Sequence, residues 1–240
     1  MAFSIEWDPT GLRKYETGVD RGVLYPQKSD GTYYDGVAWN GLTGVTETPS
    51  GAEETKLYAD NKKYLSLRSA EELGGTIEAY TYPDEWQRCD GSKSVIEGVH
   101  IGQQTRSAFG LSYRTRVGND TKMDDFGYKI HLVYGATVSP SERAYATVND
   151  SPEAITFSWE FSANPVDESM MPNVKIDGSE LNPTAILTID TTELQGGKDN
   201  PKLKQLETIL YGTKAEQEGG EDVPPKLPSP KEVYELFNAA

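Results

Sequence analysis

The amino-acid sequence predicts a mainly β fold, a β-sandwich or barrel with one or two short flanking α-helices and a long charged hairpin arm. Apolar and polar residues alternate in several short runs, as they do in strands with one buried face. Gly, Asn, Asp and Pro separate the runs at VGND, VSPS, VNDSP and LNPT, and these residues favour turns. Short strands separated by turns are typical of a sandwich or barrel rather than of a βαβ succession.

The most regular alternation lies in ITFSWEFSA, residues 155–163. One face carries the apolar residues and the other the polar ones: Ile155, Phe157, Trp159, Phe161 and Ala163 against Thr156, Ser158, Glu160 and Ser162. Three neighbouring aromatic side chains can form a core, a ligand-stacking platform or a contact with another copy of the chain. A platform for nucleobases needs flanking Lys or Arg, which this strand lacks. We therefore predict that Phe157, Trp159 and Phe161 are core or inter-subunit residues, with Ser158 and Glu160 on the exposed face.

Two further strands are predicted at FGLSYRTRV (109–117) and YKIHLVY (128–134). In the second run, alternate residues from Tyr128 to Tyr134 share an apolar face, which leaves His131 on the polar face. We therefore expect His131 at the surface. GTIEAYTY (75–82) and AILTID (185–190) alternate less regularly but favour strands as well.

Helix signals concentrate near the C-terminal end. In NPKLKQLETILYG, Asn200 is a candidate N-cap, Pro201 opens the helix and Gly212 follows it. In SPKEVYELF, Ser229 and Glu232 form a predicted capping box, and PDEWQRC (83–89) can form a short helical turn. The predicted organisation is one β domain over residues 1–212 that includes a helix near 201–211. An acidic Pro/Gly-rich loop over 213–229 follows, and then a short helix over 230–240 that packs back on the same domain.

The charged arm is predicted over SGAEETKLYADNKKYLSLRSAEELGG, residues 50–75, where charges of both signs alternate with Leu and Tyr. Such a mixture fits a hairpin that docks on a partner, and composition alone equally fits an ordinary solvated hairpin. The candidate contact residues are Lys56, Tyr58, Asp60, Lys62, Lys63 and Tyr64.

Composition and charge restrict the function classes. The chain has 23 basic and 38 acidic residues and thus a net charge of −15. This excess of acidic residues argues against binding to nucleic-acid phosphates. Leu, Ile, Val and Phe make up about a fifth of the chain, so the core should be lean, but 14 Tyr and 4 Trp argue against disorder. We expect this core to gain stability from neighbouring subunits. The lone Cys89, expected to be semi-buried, rules out an intrachain disulfide framework and fits a reducing cytoplasm.

No targeting or membrane segment is expected. The start, MAFSIEWDPTG, has neither a basic nor an apolar signal-peptide region, and no apolar run approaches the roughly 20 residues of a membrane span. We therefore predict no membrane anchor.

The sequence offers no convincing catalytic constellation. The DFG triplet in MDDFG (123–127) lacks the Gly-rich loop, strand lysine and His-Arg-Asp loop that kinase chemistry requires. Two histidines without HExxH or paired cysteines argue against a zinc site, and Gly-x-Ser-x-Gly is absent. The prediction is a non-enzymatic protein without catalytic residues, metal or cofactor.

Several ordered segments together resemble the major tail protein of long-tailed bacteriophages. They are GVDRGVLYP (18–26), GVAWNGLTGVTETPSGAEETKLYADNKKYL (36–65), GTIEAYTYPDEWQRCDG (75–91), YATVNDSPEAITFSWEFSANPV (145–166), NPTAILTID (182–190), ETILYG and LPSPKEVYELF. The resemblance implies a tail-tube β-sandwich or barrel that forms hexameric rings, stacked into a hollow tube for the genome and the tape-measure protein. It further implies a place in the virion tail, assembly in the cytoplasm of the host bacterium, and contacts with tail-tip and terminator proteins. By position and length, the arm is assigned to ring stacking.

The acidic charge suggests a role in such a tube. A basic lining would grip DNA, whereas an acidic lining repels it over about 8 Å at physiological salt. We hypothesise that Glu71, Glu72, Glu78 and Glu160 face the channel, so that DNA passes without specific binding. The alternative is that these carboxylates only keep the outer wall soluble.

Two other functions stay open from the sequence. One is an inner-tube subunit of a contractile tail or of a type VI-like secretion machine. The other is a stand-alone β-sandwich that binds carbohydrate and remains monomeric.

Overall fold

A twisted antiparallel sheet forms the body of the protein. The computed structural model describes residues 4–145, 147, 150, 154–214 and 222–239. Within these residues, a nine-stranded sheet has the order β2-β1-β10-β11-β12-β7-β3, with β15 beside β11 and β4 beside β7. The strands are β1 Lys14–Pro26, β2 Val37–Trp39, β3 Leu42–Glu47, β4 Ser50–Gly51, β5 Glu54–Ala59, β6 Lys62–Arg68, β7 Glu71–Ala79, β8 Lys93–Ile96, β9 Val99–Ile101, β10 Phe109–Asn119, β11 Met123–Val138, β12 Phe157–Ala163, β13 Lys175–Ile176, β14 Ser179–Glu180 and β15 Ile186–Asp190.

Three separate two-stranded hairpins extend the fold: β5–β6, β8–β9 and β13–β14. The protein is thus mainly β with few short helices, as the sequence predicts. Among the described residues, no helix is both long and apolar enough to cross a membrane.

One core lies on the inner side of the sheet. It joins Leu24 of β1 and Trp39 of β2 to Ile77 of β7 and Trp159 of β12. Because strands near the two ends of the sheet order meet in one cluster, the sheet must curl around it. The ring centroids of Trp39 and Trp159 lie 5.7 Å apart in an edge-to-face contact, a geometry that aromatic pairs favour.

A short helical turn closes this inner core. Asp84–Trp86 is a 3₁₀ turn that continues into helix α1, Gln87–Asp90, and Gly91 ends it with a φ of 82°. The helical turn predicted at 83–89 is therefore confirmed. It places Trp86 and Cys89 in the core, and both are fully buried. Cys89 is thus more buried than expected, and burial, with a smaller contribution from Asp90, raises the pKa of its thiol to about 12.

A second core lies on the outer side of β1, β11 and β15, where two helices cover the sheet. Helix α2 spans Pro201–Tyr211 and helix α3 spans Pro230–Asn238. Leu203, Leu206 and Leu210 of α2 are fully buried, and burying a leucine stabilises a fold by about 1.5–3 kcal/mol. Their partners are outward side chains of the sheet and residues near α3: Val23, Tyr25, Ile130, Leu132, Tyr134, Ile189, Leu227 and Val233.

The helix caps match the sequence patterns. The Asn200 side chain accepts hydrogen bonds from the backbone N–H groups of Lys202 and Leu203, and Pro201 is the first helical residue. Ser229 and Glu232 form the predicted capping box. The predicted division of the chain into a β domain up to residue 212, a loop up to residue 229 and a C-terminal helix stays a prediction. Much of the intervening loop, residues 215–221, and most of the turn expected at 148–152 lie outside the described residues.

Candidate functional site

The hairpin formed by β5 and β6, called the arm below, is the longest of three hairpins among the described residues whose strands are exposed throughout. Every residue from Glu54 to Arg68 is exposed. The strands pair in antiparallel register and are joined by Asp60–Asn61. Both turn residues have positive φ, 49° and 60°, which a two-residue hairpin turn of type I′ requires and which Asp and Asn tolerate. The local sequence therefore determines where the arm turns.

Large apolar side chains remain uncovered on the arm. Tyr58 and Tyr64 are 69% and 73% exposed, and Leu57, Leu65 and Leu67 are exposed as well. A two-stranded hairpin on its own is marginally stable in water, and clustered exposed apolar residues mark interaction surfaces. The arm therefore exposes apolar side chains next to charges of both signs.

The charges of the arm are only partly paired. Lys63 Nζ lies 2.8 Å from Glu54 Oε1, a surface pair of small energetic value. Within the described chain, Lys56, Asp60 and Lys62 make no ion pair. These three charges are available to a partner.

The aromatic strand β12 lies in the inner core. Trp159 and Phe161 are buried, and Phe157 is half-buried at the edge of the cluster. Tyr82 contacts the rings of both Phe157 and Trp159, with centroids 5.3 and 5.5 Å apart. These aromatic rings pack against other side chains of the protein. Strand β12 therefore presents no open aromatic platform on which a ligand could stack.

The outward surface of β12, β7 and β3, called the bare face below, is polar. Ser158 lies opposite Glu78, and Glu160 lies opposite Thr76, while Trp159 and its partner Ile77 point inward. Glu78 and Glu160 are exposed, and helices α2 and α3 pack against the other core. The bare face thus presents two exposed carboxylates.

The other two carboxylates considered for the channel lie at the start of β7. Glu72 pairs with Ser50 and Glu71 with Gly51 of β4, and both glutamates are exposed. Successive strand residues point to opposite faces, so Glu72 shares the side of Glu78 whereas Glu71 points to the other side.

The expectation that His131 lies at the surface is wrong. Its ring stacks on Tyr113, with centroids 4.7 Å apart and an interplanar angle of 4°, and only 12% of its side chain is exposed. The face of β11 that carries His131 also carries Val133 of the inner core. Because β11 is covered on both faces in this region, the polar side chains of its sequence do not identify a solvent-exposed face.

Two carboxylates approach the ring of His131 from different strands. Glu16 Oε1 on β1 lies 3.8 Å from Nε2, and Glu47 Oε1 on β3 lies 3.6 Å from Nδ1. Burial lowers the pKa of His131, while Glu47 and Glu16 partly oppose that shift. The Tyr113 hydroxyl donates a hydrogen bond to Glu47. This bond uses the carboxylate that would otherwise stabilise a protonated His131 ring. Among the described residues, no group of three or more His, Cys, Asp or Glu side chains has the arrangement of a metal site.

The hairpin β8–β9 is an exposed apolar element that the sequence analysis missed. Its uncovered residues are Val95, Ile96, Val99 and Ile101. Glu97 and Gly98 form the turn, and Gly98 has a φ of 78°. The signal was present in SVIEGVHI, where a Gly-containing pair separates two runs of β-branched residues.

Comparisons with known proteins give only weak likenesses. No family model and no curated protein matches the sequence. The sheath/tube terminator of the PVC extracellular contractile injection system, in the extended state, is 8% identical, with a TM-score of 0.30, over 67% of this chain and 96% of that one. The tube-terminating cap of the anti-feeding prophage is 8% identical, with a TM-score of 0.31, over 68% and 92%.

The PVC sheath–tube complex in the extended state gives a similar result. The identity is 11% and the TM-score 0.26, over 67% of this chain and 90% of that one. Likenesses this weak do not establish a common fold or a common function.

Proposed function

We propose that the chain is a structural subunit of a phage tail tube that assembles into rings, hexameric in the family it resembles, stacked around a channel. The observation that carries this proposal is the arm, which is wholly exposed and bears uncovered tyrosines and leucines. The resemblance of several sequence segments to major tail proteins points the same way. A non-enzymatic role accompanies the proposal.

Assembly gives a physical reason for the uncovered side chains. A hairpin with exposed apolar residues is stabilised when a second surface covers it. A contact between two different surfaces of identical chains is heterologous, and it closes into rings or continues into filaments. Stacked rings therefore need two such contacts, one that closes each ring and one that joins successive rings.

The bare face is proposed to line the channel. Glu72, Glu78 and Glu160 lie on its side of the sheet, so the proposal is restricted to these three and leaves Glu71 out. Carboxylates on this surface repel DNA within about 8 Å at physiological salt, which matters where a duplex nearly fills the bore. DNA and the tape-measure protein then pass without specific binding, and the tail-tip and terminator proteins contact the ends of the tube.

Sedimentation velocity and negative-stain electron microscopy of the purified full chain test the proposal. We expect annular particles or tubes whose proportion rises with protein concentration. A Tyr58→Ser/Tyr64→Ser variant should assemble poorly while it keeps the fold, and Tyr80→Ser, at another exposed tyrosine, is the matched control. A chain that remains monomeric at high concentration, even with tail assembly partners, contradicts the proposal. Glycan binding by that monomer would then favour a carbohydrate-binding module.

A further inference from the structure

We infer that the arm of one copy docks in an apolar groove between β15 and α3 of a second copy. The inference rests on the proposed function and adds the receptor surface for the arm. The groove has a volume of about 530 Å³, which is within the range of pockets that hold ordered ligands.

The floor of the groove is apolar and its rim is acidic. Leu187 on β15 and Tyr234 and Phe237 on α3 line it, together with Leu181 and Leu194. None of these five side chains is fully buried, and Leu181 and Tyr234 are 37% and 39% exposed. Glu193 belongs to the same lining. The Asp190 carboxylate lies 4.0 Å from Lys129 Nζ, on the face of β15 opposite Leu187. The surface therefore combines an uncovered apolar floor with the carboxylate of Glu193.

The end of the arm is complementary to this surface in charge. The chain as a whole carries a net charge of −15, whereas residues 56–64 carry three lysines and one aspartate. Lys63 is paired with Glu54 within the arm, which leaves Lys56 and Lys62 for an acidic partner. Opposite potentials orient a complex and disfavour wrong partners, so the arm is directed towards an acidic rim.

The apolar parts are complementary as well. Tyr58 and Tyr64 expose most of their rings, and tyrosine is enriched at the energetic centres of interfaces. Tyr58 and Tyr64 lie on one face of the arm and the three leucines on the other, because successive strand residues point to opposite faces. The tyrosine face offers on the order of 300 Å² of exposed side-chain surface, about a third of the roughly 800 Å² that each partner buries in a standard interface.

The groove also borders an incompletely paired strand. Within the described chain, β15 is hydrogen-bonded to β11 and to no other strand. An edge strand presents free backbone groups to a second chain, and the arm is itself a β-ribbon. Because the arm and the groove are different surfaces of one chain, their contact is heterologous and propagates from copy to copy.

Cross-linking between two populations of the full chain tests the inference. One population carries Lys62→Cys on the arm and the other carries Glu193→Cys on the rim of the groove. Cys89 is fully buried and does not compete. Mixed under oxidising conditions at assembling concentrations, the two should give a disulfide-linked dimer on a non-reducing gel. As the control, Lys62→Cys is mixed with Ser162→Cys, which lies on the bare face. This mixture should give at least about tenfold less disulfide-linked dimer.

An exchange of charges between the arm and the groove supplies a second test. Lys62→Glu should raise the protein concentration needed for assembly about tenfold, because like charges then face each other. Combining Lys62→Glu with Glu193→Lys in one chain should restore assembly towards the original concentration. Lys93→Glu, which changes an exposed lysine on the hairpin β8–β9, is the matched control and should leave assembly unchanged.

The outcomes separate the inference from the proposed function. Rings or tubes that form without the Lys62–Glu193 cross-link, or a charge exchange that does not restore assembly, overturn the inference and leave the tube subunit in place. Absence of any assembly from the unmodified chain overturns both.

Discussion

The two outward surfaces of the sheet differ in polarity and in whether helices cover them. Where β1, β11 and β15 present apolar side chains such as Tyr25, Ile130 and Leu132, the helices α2 and α3 cover them. Where β12 and β7 present polar side chains, Glu78 and Glu160 are exposed to solvent beside half-buried Thr76 and Ser158. Both halves share the same inner core, so the inward residues do not distinguish them.

This difference shows what decides the layering of the fold. A strand with apolar residues on one face needs one partner layer, and a strand with apolar residues on both faces needs two. The covered half needs its helices for stability, whereas the bare face is free to serve another purpose. In the proposed tube, that purpose is contact with the channel.

The largest effect is expected in the core that both halves share. Trp159→Ala removes a buried ring that contacts Trp39, Tyr82 and Trp86. The free energy of unfolding should fall by about 3–5 kcal/mol, because a large buried side chain is replaced by a cavity. Chemical denaturation measures it, and Ser162→Ala on the exposed side of the same strand should change stability by less than about 0.5 kcal/mol. A loss below 1 kcal/mol for Trp159→Ala would mean that the two halves do not share this core.

The covered half should depend strongly on its helices. Leu206→Ala on α2, at a fully buried position, should cost about 2–5 kcal/mol. Gln205→Ala, at the neighbouring exposed position, should cost almost nothing. Equal effects of the two variants in urea denaturation would show that α2 does not pack as described.

A pH effect is expected at the end of the inner core. Burial lowers the pKa of His131 in the folded protein, so the unfolded chain binds the proton more readily. Its contribution to stability is present above the unfolded value of about 6.5 and is lost as the pH falls below it. His131→Gln should flatten this part of the profile, measured as the unfolding free energy between pH 7.5 and pH 5.

The other histidine provides the control for this measurement. His100→Gln, in the exposed hairpin β8–β9, should leave the slope attributed to His131 in place. An unchanged slope in His131→Gln would contradict the burial of that ring.

The smallest effect on stability is expected on the bare face. Glu78→Gln and Glu160→Gln should each change the unfolding free energy by less than about 0.5 kcal/mol, because both side chains are exposed. If the face lines a channel, the double variant should assemble normally and yet slow DNA release from particles that contain it. Normal release would refute the sliding role of these carboxylates.

Sequence patterns predict the elements in which a local rule is sufficient. The caps at Asn200 and Ser229 and the turn at Asp60–Asn61 depend on neighbouring residues alone, and the structure has helices and a hairpin there. At β12 the alternation identifies the buried face from Trp159 to Ala163, because Glu160 and Ser162 on the other face are exposed and polar, whereas Phe157 and Ser158 are both half-buried.

The remaining features depend on contacts between distant residues. At β11 the alternation misplaces His131, because that strand is covered on both faces. The groove joins β15 to α3, about forty residues apart in the chain, so no local pattern indicates it. The turn signal at Glu97–Gly98 is sufficient to predict the hairpin β8–β9. Its exposure is not predictable in this way, because its apolar residues resemble those of an ordinary buried strand.

A cryo-electron microscopy reconstruction of the assembled chain tests the central claim most directly. We expect copies arranged around a bore lined by β3, β7 and β12, with α2 and α3 away from the channel and the arm on a neighbouring copy. A bore lined by the helices, or a concentrated chain that shows only isolated monomers, would contradict the account.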